Sequence, residues 1–152
     1  EEEARAHHYT VAQRAAEGRH GTLAKEIPTG DVIDDALVCE CENVSVGEVK
    51  YAYNELHVHN LTNLRRRTRM GMGTCQGELC ACRASNVLCG LMEADDADKC
   101  AADLADFMNE RWKGMKPVAW GATLSEAQLA ATIYEGLCGL DKFAQNKGGL
   151  AK

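Results

Sequence analysis

The sequence predicts a mainly α fold: a helix-turn-helix-like unit carrying two cysteine-bearing loops, followed by a C-terminal helical extension. Three observations point there. Apolar residues make up 45% of the 152 residues but aromatics only 5%, a balance that suits small-residue helix packing better than an aromatic-rich sandwich. Apolar side chains recur at helical spacing in most segments behind recognisable capping residues. Extended apolar runs are rare and short, so no sizeable sheet is expected.

Residues 1–35 read as an N-terminal extension. The chain begins Glu1-Glu2-Glu3 without an initiator Met, which gives the expectation of a piece of a longer or processed polypeptide. A helix is expected from Glu2 to Glu17, ended by Gly18, with Gly21, Pro28 and Gly30 marking a connection. His7 and His8 are adjacent, face different directions on a helix, and read as solvated rather than as a ligand pair.

Residues 36–92 form the organised unit. Ala36-Leu37-Val38 is a short extended run that leads into Cys39-Glu40-Cys41. Ser45-x-x-Glu48 is a capping box, and Val49, Ala52, Tyr53 and Leu56 continue at helical spacing, so a helix is expected over 46–56. His57-Val58-His59 turns the chain, and Asn60 or Thr62 caps a short helix running through Leu61 and Leu64 into Arg65-Arg66-Arg67. Gly71, Gly73 and Gly77 make a loop around Cys75, after which Cys80, Ala84, Val87, Leu88 and Leu91 mark a third helix.

Residues 93–152 read as a helical extension with a frayed end after Phe143. Asp95-Asp96-Ala97-Asp98 suits a helix N-terminus, and Cys100, Leu104, Phe107, Met108 and Trp112 give one apolar stripe, stopped at Gly114 and Pro117. Pro117-Val118-Ala119-Trp120 is long enough only for a two-stranded contact, with Ala36-Leu37-Val38 as a candidate partner. Thr123-x-x-Glu126 caps a last helix through Leu129, Ile133 and Leu137, ended by Gly136 and Gly139.

Charge narrows the partners. The 17 Lys+Arg against 23 Asp+Glu give a net charge of -6, which argues against nucleic acid or anionic lipid as the main partner. No apolar run reaches the roughly 18–20 residues of a membrane span, and the N-terminus does not read as a signal peptide.

The eight cysteines are the distinctive feature. Cys39-x-Cys41 and Cys75-x4-Cys80 form tight pairs, whereas Cys89, Cys100 and Cys138 occupy positions where small apolar side chains would serve. Clustered thiols suggest a metal site. Cys39 and Cys41 can offer two thiolates on one side of the chain, and Cys75 and Cys80 two more across a turn, with the glycines letting backbone N–H groups approach the sulfurs. Four thiolates would equally bind structural zinc, although neither pair has the usual Cys-x-x-Cys spacing. A secreted disulfide scaffold, with sequons at Asn43 and Asn60, is the less favoured alternative. Cys82 competes with Cys80 and is assigned to core or support. The run Arg65-Arg66-Arg67-Thr68-Arg69 is either a solvated helix face or a set of cations near an anionic cluster. Gly71-x-Gly73-x3-Gly77 is one residue too long for a dinucleotide fingerprint, and no strand leads into it.

Cys39-Glu40-Cys41-Glu42-Asn43-Val44 and Leu64 through Cys80 together resemble the [2Fe-2S]-binding domain similar to bacterioferritin-associated ferredoxin, a domain attached to several flavoprotein dehydrogenases. The resemblance makes Cys39, Cys41, Cys75 and Cys80 the cluster ligands; the Cys-x4-Cys second pair is similar to the flavoenzyme branch of that family. Downstream, residues 107–121 and 134–140 resemble the C-terminal region of the large subunits of anaerobic glycerol-3-phosphate dehydrogenases. That resemblance implies an electron-transfer domain, not catalytic by itself, in an enzyme whose FAD domain oxidises sn-glycerol 3-phosphate to dihydroxyacetone phosphate. It also implies a flavin domain in the same chain ahead of the linker 1–35, partner subunits including a membrane-anchoring iron–sulfur subunit, electrons passed towards quinone, and a cytoplasmic place on the inner face of the cell membrane. No FAD-binding glycine motif is present here. The alternatives are a structural or docking module holding zinc or an inert cluster, or the same domain of an amino-acid-oxidising flavoprotein. Trp112 and Trp120 are candidates for contact with the flavin domain or with a partner subunit.

Overall fold

A computed structural model describes residues 10–92, 97–115 and 117–142. Its elements, in order, are α1 (Val11–His20), a 3-10 turn (Gly21–Glu26), β1 (Leu37–Cys39), β2 (Val44–Ser45), α2 (Val46–Asn54), α3 (Leu61–Thr68), α4 (Ala81–Leu91), α5 (Ala97–Met115) and α6 (Gly121–Thr132). A π turn (Ile133–Leu137) and a 3-10 turn (Leu140–Lys142) follow α6. The mainly α expectation holds. The expected start of the first helix, the acidic residues Asp95 and Asp96, and the end after Phe143 lie outside the described residues.

Several boundaries follow from capping chemistry. Thr10 accepts a hydrogen bond from the Gln13 N–H while Gln13 accepts from the Thr10 N–H, so α1 starts on a full capping box and runs past Gly18 to Gly21, whose φ of 58° stops it. Of the two candidate caps for α3, Asn60 is the one used, accepting from the Asn63 N–H at 2.8 Å. At the start of α6 the expected Thr123 cap is not formed; Trp120 occupies the cap position three residues earlier, and Gly121, at φ 58°, turns the chain there.

The expected strand partner of Ala36-Leu37-Val38 is corrected. β1 pairs antiparallel with β2, Leu37 opposite Ser45 and Cys39 opposite Val44, rather than with Pro117-Val118-Ala119-Trp120. A turn this short closes at low entropic cost, and Asn43 at φ 51° supplies the left-handed residue it needs. The first cysteine pair thus sits on a tight hairpin.

One core joins the cysteine unit to the extension. Val38, Val44, Val49, Ala52, Leu61, Leu64 and Met70 pack with Phe107, Met108 and Trp112 of α5 and Ala131 of α6. Trp112 is therefore an internal packing residue, 2% exposed, whereas Trp120 is 83% exposed. Cys89 and Cys100, expected as apolar substitutes, form a disulfide joining α4 to α5. Asp103 of α5 accepts the Leu61 N–H at 2.8 Å, so the extension also caps α3. Among the described residues, no helix is long and apolar enough to cross a membrane.

The Ser45-x-x-Glu48 box forms only in part. Ser45 accepts from the Glu48 N–H at 3.1 Å, but the Glu48 carboxylate turns inward. It is 1% exposed there and meets Arg19 through Nε at 2.7 Å and through Nη2, with His20 Nε2 at 2.8 Å from Oε1. This network ties α1 to α2. Removing the carboxylate would strand the buried Arg19 charge, so Glu48→Ala should cost about 3–5 kcal/mol. Lys50→Ala, which breaks the more exposed pair with Asp34, should cost less than about 1 kcal/mol. Urea unfolding of the two variants, followed by circular dichroism, checks the contrast.

Candidate metal centre

Cys39 ends β1 and is buried, and two residues on, past Glu40 in the hairpin turn, Cys41 is exposed. Cys75 lies in the loop after α3, and Cys80 is the buried residue just before α4. The two loops meet face to face. Cys41 Sγ lies 4.0 Å from Cys75 Sγ, and Cys80 donates its S–H towards Cys39 while its sulfur lies 3.5 Å from Met70 Sδ. Sulfurs therefore meet across the loops, Cys41 beside Cys75 and Cys39 beside Cys80. Cys82 points elsewhere, its sulfur 3.9 Å from the Tyr134 hydroxyl.

Backbone and neighbours favour thiolates at two of these positions. Cys39 is lowered from the ordinary 9.0 to about 5, first by the Cys80 hydrogen bond and then by the N–H groups of Gly71, Glu42 and Cys41, against the opposing effect of burial. Cys41 is also lowered, chiefly by the Thr74 hydroxyl 3.7 Å away and by the Cys75 N–H. Cys80 is pushed up because it keeps the proton that Cys39 gives up, because it is buried, and because the charges of Cys39 and Cys75 oppose a further one. Two glycines permit the close approach. A β-carbon at Gly73 would lie 2.1 Å from Cys41 Cβ, and one at Gly77, whose φ is 93°, would lie 2.7 Å from Phe107 Cε1.

The donor set fits an anionic iron–sulfur cluster. A two-iron cluster takes thiolates two and two, with N–H groups directed at sulfur, whereas structural zinc takes four donors around one point. Sulfurs from the two loops come together, Cys41 Sγ lying 4.0 Å from Cys75 Sγ.

The cations of the arginine run divide between the two readings. Within the arginine run, Arg65 reaches Gln76 at 3.3 Å and Arg69 pairs with Glu42 at 2.9 Å, while Arg66 and Arg67 face solvent. Arg83 of α4 grips Glu40, between the first two cysteines, through two bonds of 2.7 Å. That pair holds the Glu40 carboxyl down at about 2.

Residues missed in the sequence hold the loops from behind. Arg19 donates to the carbonyls of Glu42 at 2.9 Å and Asn43 at 3.3 Å, fixing the first loop. Arg111 donates to the Cys75 carbonyl at 3.3 Å and to the Glu78 carboxylate at 3.2 Å, and the Tyr134 hydroxyl donates to the Glu78 carbonyl, fixing the second. A signal for Arg111 existed: it stands four residues after Phe107 and three after Met108, on the apolar stripe where a charge is out of place.

Two thiol pairs presented on short loops by a small helical unit suit an iron–sulfur cluster. Residues 37–88 match the BFD-like [2Fe-2S] binding domain. Over 124 residues, 82% of the chain, it is 49% identical to the A subunit of anaerobic glycerol-3-phosphate dehydrogenase from Escherichia coli (strain K12), of which the match covers 23%. The Haemophilus influenzae protein of the same name is 46% identical over 123 residues, 81% of the chain and 22% of that protein. Hydrogen cyanide synthase subunit HcnB of Pseudomonas aeruginosa is 44% identical over 46 residues, 30% of the chain and 10% of that protein. The chain is thus similar to a segment of the glycerol-3-phosphate dehydrogenase proteins and spans under a quarter of their length. No solved structure matches it.

The metal-free protein should keep a thiolate at Cys39 well into acid. Its folded value lies below that of an unfolded thiol, so its contribution to stability is complete above 9.0 and falls away as the pH drops towards about 5. Acid titration of the ultraviolet thiolate band should show a component near pH 5 that Cys39→Ser removes.

Proposed function

We propose that this chain is the electron-transfer part of an FAD-dependent glycerol-3-phosphate dehydrogenase, with a [2Fe-2S] cluster held by Cys39, Cys41, Cys75 and Cys80. The observation that carries this reading is the convergence of the two cysteine loops, which brings Cys41 Sγ to 4.0 Å from Cys75 Sγ. Residues 1–35 lead from the flavin domain, 36–92 hold the cluster, and 93–152 form a C-terminal helical extension from which Phe107, Arg111 and Tyr134 support the second loop.

In the whole enzyme, oxidation of sn-glycerol 3-phosphate to dihydroxyacetone phosphate places two electrons on FAD. A [2Fe-2S] cluster carries one electron at a time. This chain's part is to hold the cluster between the flavin and the next carrier, with Cys39 and Cys80 buried and Cys41 reaching the surface. Electrons would leave through partner subunits, including a membrane-anchoring iron–sulfur subunit, towards quinone at the inner face of the cell membrane.

Anaerobically purified protein should be coloured, contain iron and acid-labile sulfide in equal amounts, and give an electron paramagnetic resonance signal on one-electron reduction; a colourless protein with one zinc would overturn the redox reading. Cys75→Ser and Cys80→Ser should abolish or strongly perturb the cluster signal, whereas Cys82→Ser should leave it intact. Loss in Cys82→Ser and retention in Cys80→Ser would reverse the ligand assignment.

Among the described residues Trp120 is the exposed aromatic of the extension, and Leu79, 65% exposed, stands beside Cys80 in the second cysteine loop. Large apolar side chains left in water suit a surface covered by another part of the enzyme. Trp120 fluorescence, isolated in Trp112→Phe, should therefore shift to the blue on assembly with the flavin domain or with partner subunits. An unchanged spectrum would show that Trp120 stays in solvent.

A further inference from the structure

We infer that Arg111 is a positioning residue whose buried charge raises the reduction potential of the cluster, an assignment that rests on the iron–sulfur reading above. The Arg111 side chain is 6% exposed, and one of its nitrogens, Nη2, serves both the Cys75 carbonyl at 3.3 Å and Glu78 Oε2 at 3.2 Å. Its Nε and Nη1 are buried without an acceptor among the described residues. Holding a loop carbonyl needs one neutral donor. A guanidinium with unused N–H groups, kept out of water, adds a charge that the loop does not require.

The other cations near the loops are matched or screened. Arg19 is also buried, but its charge faces the fully buried carboxylate of Glu48. Arg83 and Arg69 are held by Glu40 and Glu42 at the surface. Arg66 and Arg67 lie in solvent, where screening weakens any effect on the cluster. Arg111 has only Glu78, whose side chain is 35% exposed and partly neutralised by water. On reduction the cluster gains one electron and so one negative charge, with no bond made or broken at Arg111. A buried positive charge next to a ligand carbonyl stabilises that reduced form more than the oxidised one. Glu78 opposes it.

The two residues therefore predict shifts of opposite sign. In anaerobically purified holoprotein, redox titration followed by electron paramagnetic resonance should give Arg111→Gln a more negative midpoint than the native protein. Arg111→Lys should stay closer to native, and Glu78→Gln should move to a more positive midpoint, with the resonance line shape retained. Unchanged midpoints in Arg111→Gln and Glu78→Gln would overturn the inference, as would shifts in the same direction. Should Arg111→Gln fail to hold a cluster, Glu78→Gln decides alone: a positive shift supports the inference and an unmoved midpoint overturns it. Native protein without a cluster would instead overturn the iron–sulfur reading itself, so the two failures are told apart by whether the native protein carries the signal.

Discussion

The absence of a side chain at Gly73 is the constraint on which the cysteine site depends. A β-carbon there would stand 2.1 Å from Cys41 Cβ, so any other residue would force the hairpin and the second loop apart. With glycine, Cys41 and Cys75 come within 4.0 Å, and the Gly71 N–H reaches the Cys39 sulfur on the same face. Sulfurs separated by more than thirty residues in the chain then form two cross-loop pairs. The pairing explains why neither motif needs the Cys-x-x-Cys spacing of a zinc knuckle: no single loop has to supply a pair by itself.

Loops that approach so closely need support from outside, because a turn rich in glycine loses much backbone entropy on folding. Each loop receives it from a different flank. Arg19 of α1 binds the carbonyls after Cys41, and Phe107, Arg111 and Tyr134 bind or pack against the loop between Gly71 and Cys80. The core runs without a break from Val38 through Leu64 to Phe107 and Trp112, and the Cys89–Cys100 disulfide fastens α4 to α5. The segment 37–88 is thus recognisable as a domain by its pattern, yet its cysteine loops are held by residues beyond it on both sides.

Much of this was legible in local pattern. The Asn60 cap, the α4 and α5 apolar stripes and the grouping of the four cysteines each arise within a few residues, where spacing and capping chemistry operate. What escaped is set over longer distances. The Glu48 side chain reads as half of a capping box but is drawn instead to Arg19, 29 residues away, because a buried ion pair outweighs one exposed N–H contact. Cys89 and Cys100 look like small apolar residues because nothing in their spacing says that α4 and α5 bring them together. Which sulfur meets which across the loops is likewise decided by how the two loops dock, and spacing within a motif does not show it.

The electrostatics of the site follow from these placements. The chain carries a net charge of -6, an unpromising setting for a group of thiolates. Local geometry overrides that average. The two glutamates nearest the first cysteines, Glu40 and Glu42, are each tied to an arginine from another element, so the acidic rim of the first loop is neutralised where it is exposed. Backbone N–H groups from Gly71, Glu42 and Cys41 converge on Cys39, where burial alone would oppose a charge. Those dipoles are fixed by the fold, and on the iron–sulfur reading they would favour negative sulfur without rearrangement. The glycines, the hairpin and the flanking arginines are therefore parts of one arrangement, in which the backbone is shaped first and the sulfur charges are accommodated by it.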